Sequence, residues 1–583
     1  MRVLLLHPDD SPRRGPWSQQ HWDLIVDLGK SSRYSVEAWS AQFGCPVLSA
    51  DFFRKGVADV KLVREIFARG RGRLIDEEGI DWWDLTSLLL APAILDVLAF
   101  ERVTAEIDHS AELWSTRPGW PASVIAISQG SALKTFSAGQ FAKLAARAGH
   151  YVGLTRRFSL TQIKEIFFDK YDSGYRWRSR FAPKAAKCSS PVVLLPSAYG
   201  NASRMVADYV RMLPQQHFLM VATRQSAKQF TPPPNVEVGD LASYARPNSS
   251  SAEISSLMEL WLKLRSDLCA NPELGVLDRA GMLDPLPMWI RDGVSARNAW
   301  REVLEREPVC GVLCGDDSNL FTRLPVLLAA ARKIPSVDFH HGAFDGRYLL
   351  KDLPCDVYLA KNQMERDYLL QVCSLPAEKV VIAAPAPPQA STAISSDRSG
   401  QRLMILFSEP YEAVGMRGEE VYRELIPQLL RLAQENDREL LIKLHPFESI
   451  AQRKRLLREI LGPDDAKRVT VLDGPLTPDL IAQAWCGITV ESTTVMDCLQ
   501  NGVCCFLCGW LKLSPYEYVK QYARFGVGEL LQNIEQVQQI PVQLTDFHKR
   551  SAPATTLATP ADPAMLQRWL TMGLREPASA RPA

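Results

Sequence analysis

The chain carries almost no net charge. Its 67 lysines and arginines face 66 aspartates and glutamates, leaving +1 over 583 residues. That balance excludes a general electrostatic pull toward nucleic acid or an anionic bilayer, while leaving room for local basic patches. Long hydrophobic runs are missing too: none reaches the roughly 18 apolar residues that a membrane span needs. The apolar opening, residues 1–6, is too short for a secretory leader and meets charge at Asp9 and Asp10. The 12 cysteines form no disulfide framework. Many sit inside apolar segments such as residues 503–508, as reduced core thiols of a cytosolic protein do. Cys505 and Cys508 make a C-x-x-C, but no second pair stands at zinc-site spacing, so both read as core. No repeat of solenoid length is present. With 46% hydrophobic and 23% charged residues, the composition is that of a globular protein of two or three domains.

What is present is alternation. Short apolar runs suited to buried strands occur at residues 2–7, 124–127, 151–152, 192–196, 218–221, 309–313, 336–339, 356–360, 380–383, 403–407, 440–444, 487–490 and 503–508. Between them lie helical stretches, among them residues 21–29, 60–69, 85–98, 257–268, 322–332 and 495–501, while residues 37–48 read as irregular. Strand followed by helix, repeated, means parallel sheets wound by right-handed crossovers. Residues 155–190, charged and aromatic, read as a connector that packs on a domain. Residues 385–402, rich in proline, serine and alanine, mark the clearest domain boundary. The expectation is an α/β protein of two Rossmann-like domains, residues 1–390 and 391–550, with a flexible tail at 551–583. The ligand would lie in the cleft between them.

Polar residues gather where these strands end, and open α/β sheets bind ligands there. Lys443, His445 and Pro446 close one strand. Glu491, Ser492, Thr493 and Thr494 follow another and open a helix, where hydroxyls and backbone N–H groups form an anion site. His340 and His341 follow the strand at 336–339. Strand alternation sends their rings to opposite sides, so one faces the site. We favour His341, beside Gly342, as a general base or acceptor-positioning group, against a purely structural pair. Glu77, Glu78 and Gly79 either hold a second base or cap the helix that follows. Asp316 and Asp317 invite a metal, but Asp317 or Ser318 stands where the next helix needs an N-cap. Arg13 and Arg14, near Gly15, either meet an anion or form a solvated turn.

These motifs resemble the GT-B glycosyltransferases. The likeness is to their bacterial surface-polysaccharide branch of capsule, sialyl-, Kdo- and CDP-glycerol transferases. Three pieces carry it: VDFHHGAFDGRY at 337–348, KLHP at 443–446 and ESTTVMDCLQNGV at 491–503, over about residues 305–530. Glu77–Glu78–Gly79 is also similar to the base motif of bacterial sialyltransferases. The acidic residue that many GT-B enzymes carry after the HP motif has no clear equivalent, and the E-x7-E of retaining members is absent.

The resemblance implies transfer of a sugar from a CMP- or UDP-linked donor to a surface-glycan or lipid-linked acceptor. Lys443, His445, Pro446, Glu491, Ser492, Thr493 and Thr494 would hold the nucleotide, and His341, His340 and Glu78 would serve catalysis. It implies no metal and no cofactor beyond the nucleotide sugar, no nucleic acid, and a cytoplasmic place, at the inner face of the membrane when peripherally associated. Two alternatives stand beside it: a nucleotide-sugar epimerase or hydrolase, and a non-catalytic subunit of a polysaccharide-assembly complex. The epimerases' Ser-Gly-Gly turn is replaced here by Ser492–Thr493–Thr494, which weighs against the first.

Overall fold

A computed structural model describes residues 1–136, 167–168, 171–183, 185, 187–246, 251–316, 318–342, 344, 355–385, 400–445, 448–511, 518–549 and 559–573. Pro446, Asp317, the strand expected at 151–152, most of the linker and the first part of the connector, residues 155–166, lie outside these residues. The fold is α/β with parallel sheets. The chain divides into two compact units. One comprises Met1–Val60, Leu95–Ser137 and Ala390–Leu557, the other Lys61–Ile94, Ala138–Gln389 and Ala558–Ala583. The N-terminal segment therefore joins the C-terminal domain, not the rest of the expected 1–390 domain.

The first unit holds two sheets. Strands β1 (Arg2–Leu6), β2 (Leu24–Asp27), β3 (Val47–Ser49), β4 (Glu112–Ser115) and β5 (Leu133–Thr135) form a five-stranded sheet in the order β3-β2-β1-β4-β5. Leu24, Ile25, Val26 and Asp27 are all buried, so the segment has no polar face. Such a short apolar run carries no periodicity that separates strand from helix, which is why 21–29 reads as a helix in sequence. The reverse happened at 124–127, which lies in the helix Trp120–Gln129, opened by Pro121 and closed by Gly130. Residues 37–48 are regular after all: the helix Arg33–Phe43 is capped by Ser32, whose hydroxyl accepts from Ser35 N–H at 3.1 Å.

The six-stranded sheet takes the order β15-β14-β13-β16-β17-β18. Its strands are β13 (Leu403–Phe407), β14 (Glu439–Lys443), β15 (Val469–Leu472), β16 (Ala484–Thr489), β17 (Cys505–Cys508) and β18 (Glu529–Leu531). The near-continuous apolar runs of β13, β14 and β17 follow from burial on both faces.

A buried arginine ties the two sheets together. Arg417, just before the helix Gly418–Glu435, pairs with Asp27 at 2.5 Å. It donates to the carbonyls of His7 (3.1 Å) and Asp10 (3.1 Å) and to the Ser31 hydroxyl (3.0 Å). Its guanidinium lies 5.2 Å from the Trp39 ring centroid. The same helix offers Glu420 to Trp39 and Arg13, Glu424 to Ser32 and Ser35, and Glu419 to Arg14. Arg13 and Arg14 thus meet carboxylates of this chain. The carboxyl end of β1 and β2, a ligand edge in open sheets, is here a docking edge.

The second unit is built on β6 (Val192–Ser197), β7 (Phe218–Ala222), β8 (Val236–Asp240), β9 (Val309–Cys314), β10 (Ser336–Phe339), β11 (Val357–Ala360) and β12 (Val380–Ile382), ordered β12-β11-β10-β9-β6-β7-β8. The tail expected to be flexible supplies part of its core. The helix Pro563–Met572 buries Leu566 and Leu570. Gly311 of β9 lies so close that a Cβ there would stand 1.8 Å from the Leu570 carbonyl oxygen. Helix Trp82–Thr104 runs 23 residues, longer than residues 85–98, and is long and apolar enough for a span that no such run was expected to supply. Yet 72% of its most apolar window is buried inside the protein, as in a core helix.

Candidate functional site

In the six-stranded sheet the strand order reverses between β13 and β16, the switch point at which open α/β sheets take ligands. Three polar stretches meet there, two of them the expected motifs. Lys443 and His445 end β14, Ser408 and Glu409 end β13, and Glu491–Thr494 end β16, on three adjacent strands. Ser408 N–H bonds the Lys443 carbonyl at 2.9 Å, and the Ser408 hydroxyl donates to Glu448 at 2.8 Å.

The anion site expected at Ser492 has an occupant from the chain itself. Glu409 Oε1 accepts from the N–H groups of Val490 (2.9 Å), Glu491 (2.8 Å) and Ser492 (3.2 Å), and from the Thr489 hydroxyl (2.7 Å). A carboxylate thus sits where a phosphate oxygen was expected. The sequence carries a signal for it: Glu409–Pro410 follows a strand, just as His445–Pro446 does. Thr493 makes no capping hydrogen bond, while the Ser492 hydroxyl accepts from Thr494 N–H at 3.3 Å. The Thr494 hydroxyl and the Tyr411 phenol are buried without a hydrogen-bond partner among the described residues. Burial, then Glu409, push the phenol's pKa well up, so it stays an O–H donor.

Lys443 is buried, and its ammonium donates to the carbonyls of Leu444 (2.9 Å) and Gly474 (2.6 Å). Burial lowers its pKa, opposed by Asp473 and Glu448. Burial, then Lys443, also lower the pKa of His445, which favours a neutral imidazole. His445 N–H donates to the carboxylate of Glu448, three residues further along the chain, at 2.8 Å. Glu491 is buried.

The second unit has its own switch point, between β6 and β9. At the carboxyl ends of β9 and β10 lie Asp316, His340 and His341, with one ligating atom of each within 4.8 Å of the others. β10 ends at Phe339, so strand alternation does not govern the two histidines. Their ring centroids are 5.0 Å apart: the rings lie together instead of diverging. His341 Nδ1 is 3.0 Å from the Gly315 carbonyl oxygen, which can only accept. Nδ1 is therefore the donor, and in the neutral ring Nε2 carries the lone pair. Gly315 is held to glycine by Phe339 and Val206, which a Cβ would meet at 2.8 and 2.9 Å. Asp316 Oδ1 accepts from Ser318 N–H (3.2 Å) and Oγ (2.6 Å). The cap of the helix Leu320–Ala331 is Asn319, not Asp317 or Ser318.

Glu78 does not join this cluster. Its carboxylate pairs with Arg301 (3.3 Å) and Arg332 (3.2 Å). Arg332 follows the C-terminal end of helix Leu320–Ala331, whereas Asp316 precedes the start. Twelve helical residues, about 18 Å, separate those ends. The turn at 76–80 is organised by Asp76, which accepts from Glu78 N–H, Ile80 N–H and Trp82 Nε1 and pairs with Arg297 at 2.6 Å.

Comparison with known proteins yields only distant likenesses. No protein-family model matches the chain, and no curated protein does. Among solved structures, a putative UDP-N-acetylglucosamine 2-epimerase from Listeria monocytogenes is 13% identical, covering 65% of this chain and 94% of that one, with a TM-score of 0.42. UDP-GlcNAc 2-epimerase from Neisseria meningitidis, bound to UDP-GlcNAc, is 14% identical over 65% of this chain and 99% of that one, TM-score 0.42. CalG4, the calicheamicin glycosyltransferase, is 13% identical over 63% and 91%, TM-score 0.36.

A cavity of 510 Å³ in the first unit lies away from the motif residues. Its cations Arg33, Arg54 and Lys520 are matched by Glu37, Asp51 and Glu535, so it has no strong preference for an anion.

Proposed function

We propose that the chain is a GT-B glycosyltransferase of bacterial surface-polysaccharide synthesis. It moves a sugar from a CMP- or UDP-linked donor to a glycan or lipid-linked acceptor at the cytoplasmic face of the membrane. The observation that carries this reading is the convergence of the Lys443–His445, Ser408–Glu409 and Glu491–Thr494 stretches at one switch point. In the proposal this is the donor site. His445, kept neutral, meets the nucleotide as a hydrogen-bonding group, not a cation, and the orphaned hydroxyls of Thr494 and Tyr411 are further donors. The cluster of Asp316, His340 and His341 receives the acceptor hydroxyl, with the His341 lone pair available for its proton.

The test is transfer from a panel of nucleotide sugars, alongside thermal shift with CMP, UDP and GDP. One nucleotide stabilises the wild type, and His445→Ala loses that shift. His341→Ala lowers the transfer rate by about 10²–10⁴, the range of a lost general base. Donor consumption without acceptor identifies an epimerase or hydrolase instead. A second reading, a non-catalytic subunit, is favoured by Glu409 filling the amide turn and by Lys443 being committed to carbonyls. Absence of any nucleotide shift decides for it.

A further inference from the structure

We infer that Asp316, His340 and His341 form a binding site for one divalent first-row transition-metal ion. The resemblance to metal-free transferases argues against a metal, so the inference stands on this chain's geometry. One carboxylate oxygen and one nitrogen from each imidazole lie within 4.8 Å of one another. A tetrahedral ion with bonds of 2.0–2.1 Å holds its donors about 3.3 Å apart, so closure needs only small side-chain rotations. Two of the three ligands are almost wholly buried, Asp316 at 2% exposure and His340 at 3%. A dry carboxylate beside two imidazoles gains most from a cation.

The outer contacts agree. Histidine ligands characteristically donate their other ring N–H to a carbonyl or carboxylate, which fixes tautomer and orientation. The Gly315 carbonyl receives His341 Nδ1 at 3.0 Å, leaving Nε2 to bind. Ser318 holds Asp316 through N–H and hydroxyl. The nearby cation Lys361 bonds the His340 carbonyl at 3.1 Å and is paired with Glu365 at 2.9 Å, so its charge is answered locally. Two imidazoles and one carboxylate suit zinc, iron(II), cobalt or manganese better than magnesium or calcium. Three protein ligands leave a position for water or substrate oxygen, as in catalytic sites and unlike closed structural ones. On the transferase reading, that position takes the acceptor hydroxyl. A bound ion would lower the pKa of that hydroxyl, whose proton would pass to solvent, and His341 would then act as a ligand in place of a base. Metal binding itself does not depend on that reading.

The experiment titrates the chelator-treated full-length chain with Zn²⁺ by calorimetry and with Co²⁺ by visible absorption. The expected result is one ion per chain, with no thiolate charge-transfer band despite the 12 cysteines. Asp316→Asn, which keeps the acceptor for Ser318, His340→Gln and His341→Gln should each weaken binding by more than about 100-fold, beyond the cost of losing an outer-shell partner. If a variant does not fold, metal-dependent protection of His340 and His341 from carbethoxylation in the wild type decides instead. No stoichiometric binding, a thiolate band, or undiminished binding in the variants overturns the site. Stoichiometric binding without transferase activity sustains the site and removes the transferase reading. Transfer by a chain that binds no metal does the reverse.

Discussion

Replacing Arg417 by methionine isolates the tie between the two sheets of the first unit. Methionine retains much of the stem and removes the guanidinium. Arg417 is 6% exposed and Asp27 is fully buried, with the charges 2.5 Å apart. After the substitution, Asp27 keeps the Gly29 N–H at 2.9 Å but loses its counter-charge. Breaking a buried pair from one side costs about 3–5 kcal/mol. The His7 and Asp10 carbonyls and the Ser31 hydroxyl lose a donor as well, which moves the expectation toward the upper end without adding in full. At a urea slope of about 3 kcal/mol per molar, the midpoint falls by more than about 1 M. Urea unfolding read by hydrogen exchange in peptides of β1 and β2 localises the loss. Asp27→Asn combined with Arg417→Met removes the stranded charge, keeps the acceptor for Gly29, and should recover more than half of the loss. A single variant costing under about 1 kcal/mol, or a double variant no more stable than the single, refutes the clamp.

Glu409→Ala strips the acceptor from the buried N–H groups of Val490 and Glu491, leaves the half-buried Ser492 N–H only the Thr489 hydroxyl, and should cost about 3 kcal/mol in chemical denaturation, partly recovered by inorganic phosphate; a cost below about 1 kcal/mol refutes its role. Gly311→Ala drives a methyl into the Leu570 carbonyl, so the helix Pro563–Met572 should detach and become a site of rapid limited proteolysis, while unchanged cleavage rejects the packing. His445 has a folded pKa below its ordinary 6.5, so folding favours the neutral ring. Its contribution is present above about pH 6.5 and is lost as pH falls from that value through the lower folded pKa. The stability difference between wild type and His445→Gln should therefore shrink from pH 7 to pH 5, and a pH-independent difference contradicts the burial. For transfer kinetics, the check on His341 is the fall in rate set out with the proposed function.

The alternation of strand and helix was legible from the sequence alone through β6, β7, β9 to β14, β16 and β17. Parallel strands buried on both faces must be continuous apolar runs, and LMILF or VCGVL leaves little choice. The same periodicity put the motif residues at strand ends. It failed at β2 and at the helix Trp120–Gln129, where short apolar runs carry no distinguishing period. Other features were decided only by the tertiary structure. Asp27 and Arg417 are 390 positions apart, and nothing local to either names its partner. Lys443 and the amide turn at 490–492 kept their sequence-level chemistry, but packing supplied carbonyls to the one and the Glu409 carboxylate to the other. Asp316 and the two histidines converge because β9 and β10 are neighbours and because β10 stops one residue before His340. Local sequence determines which groups stand at a strand end. Strand order and long-range charge pairing determine what those groups meet.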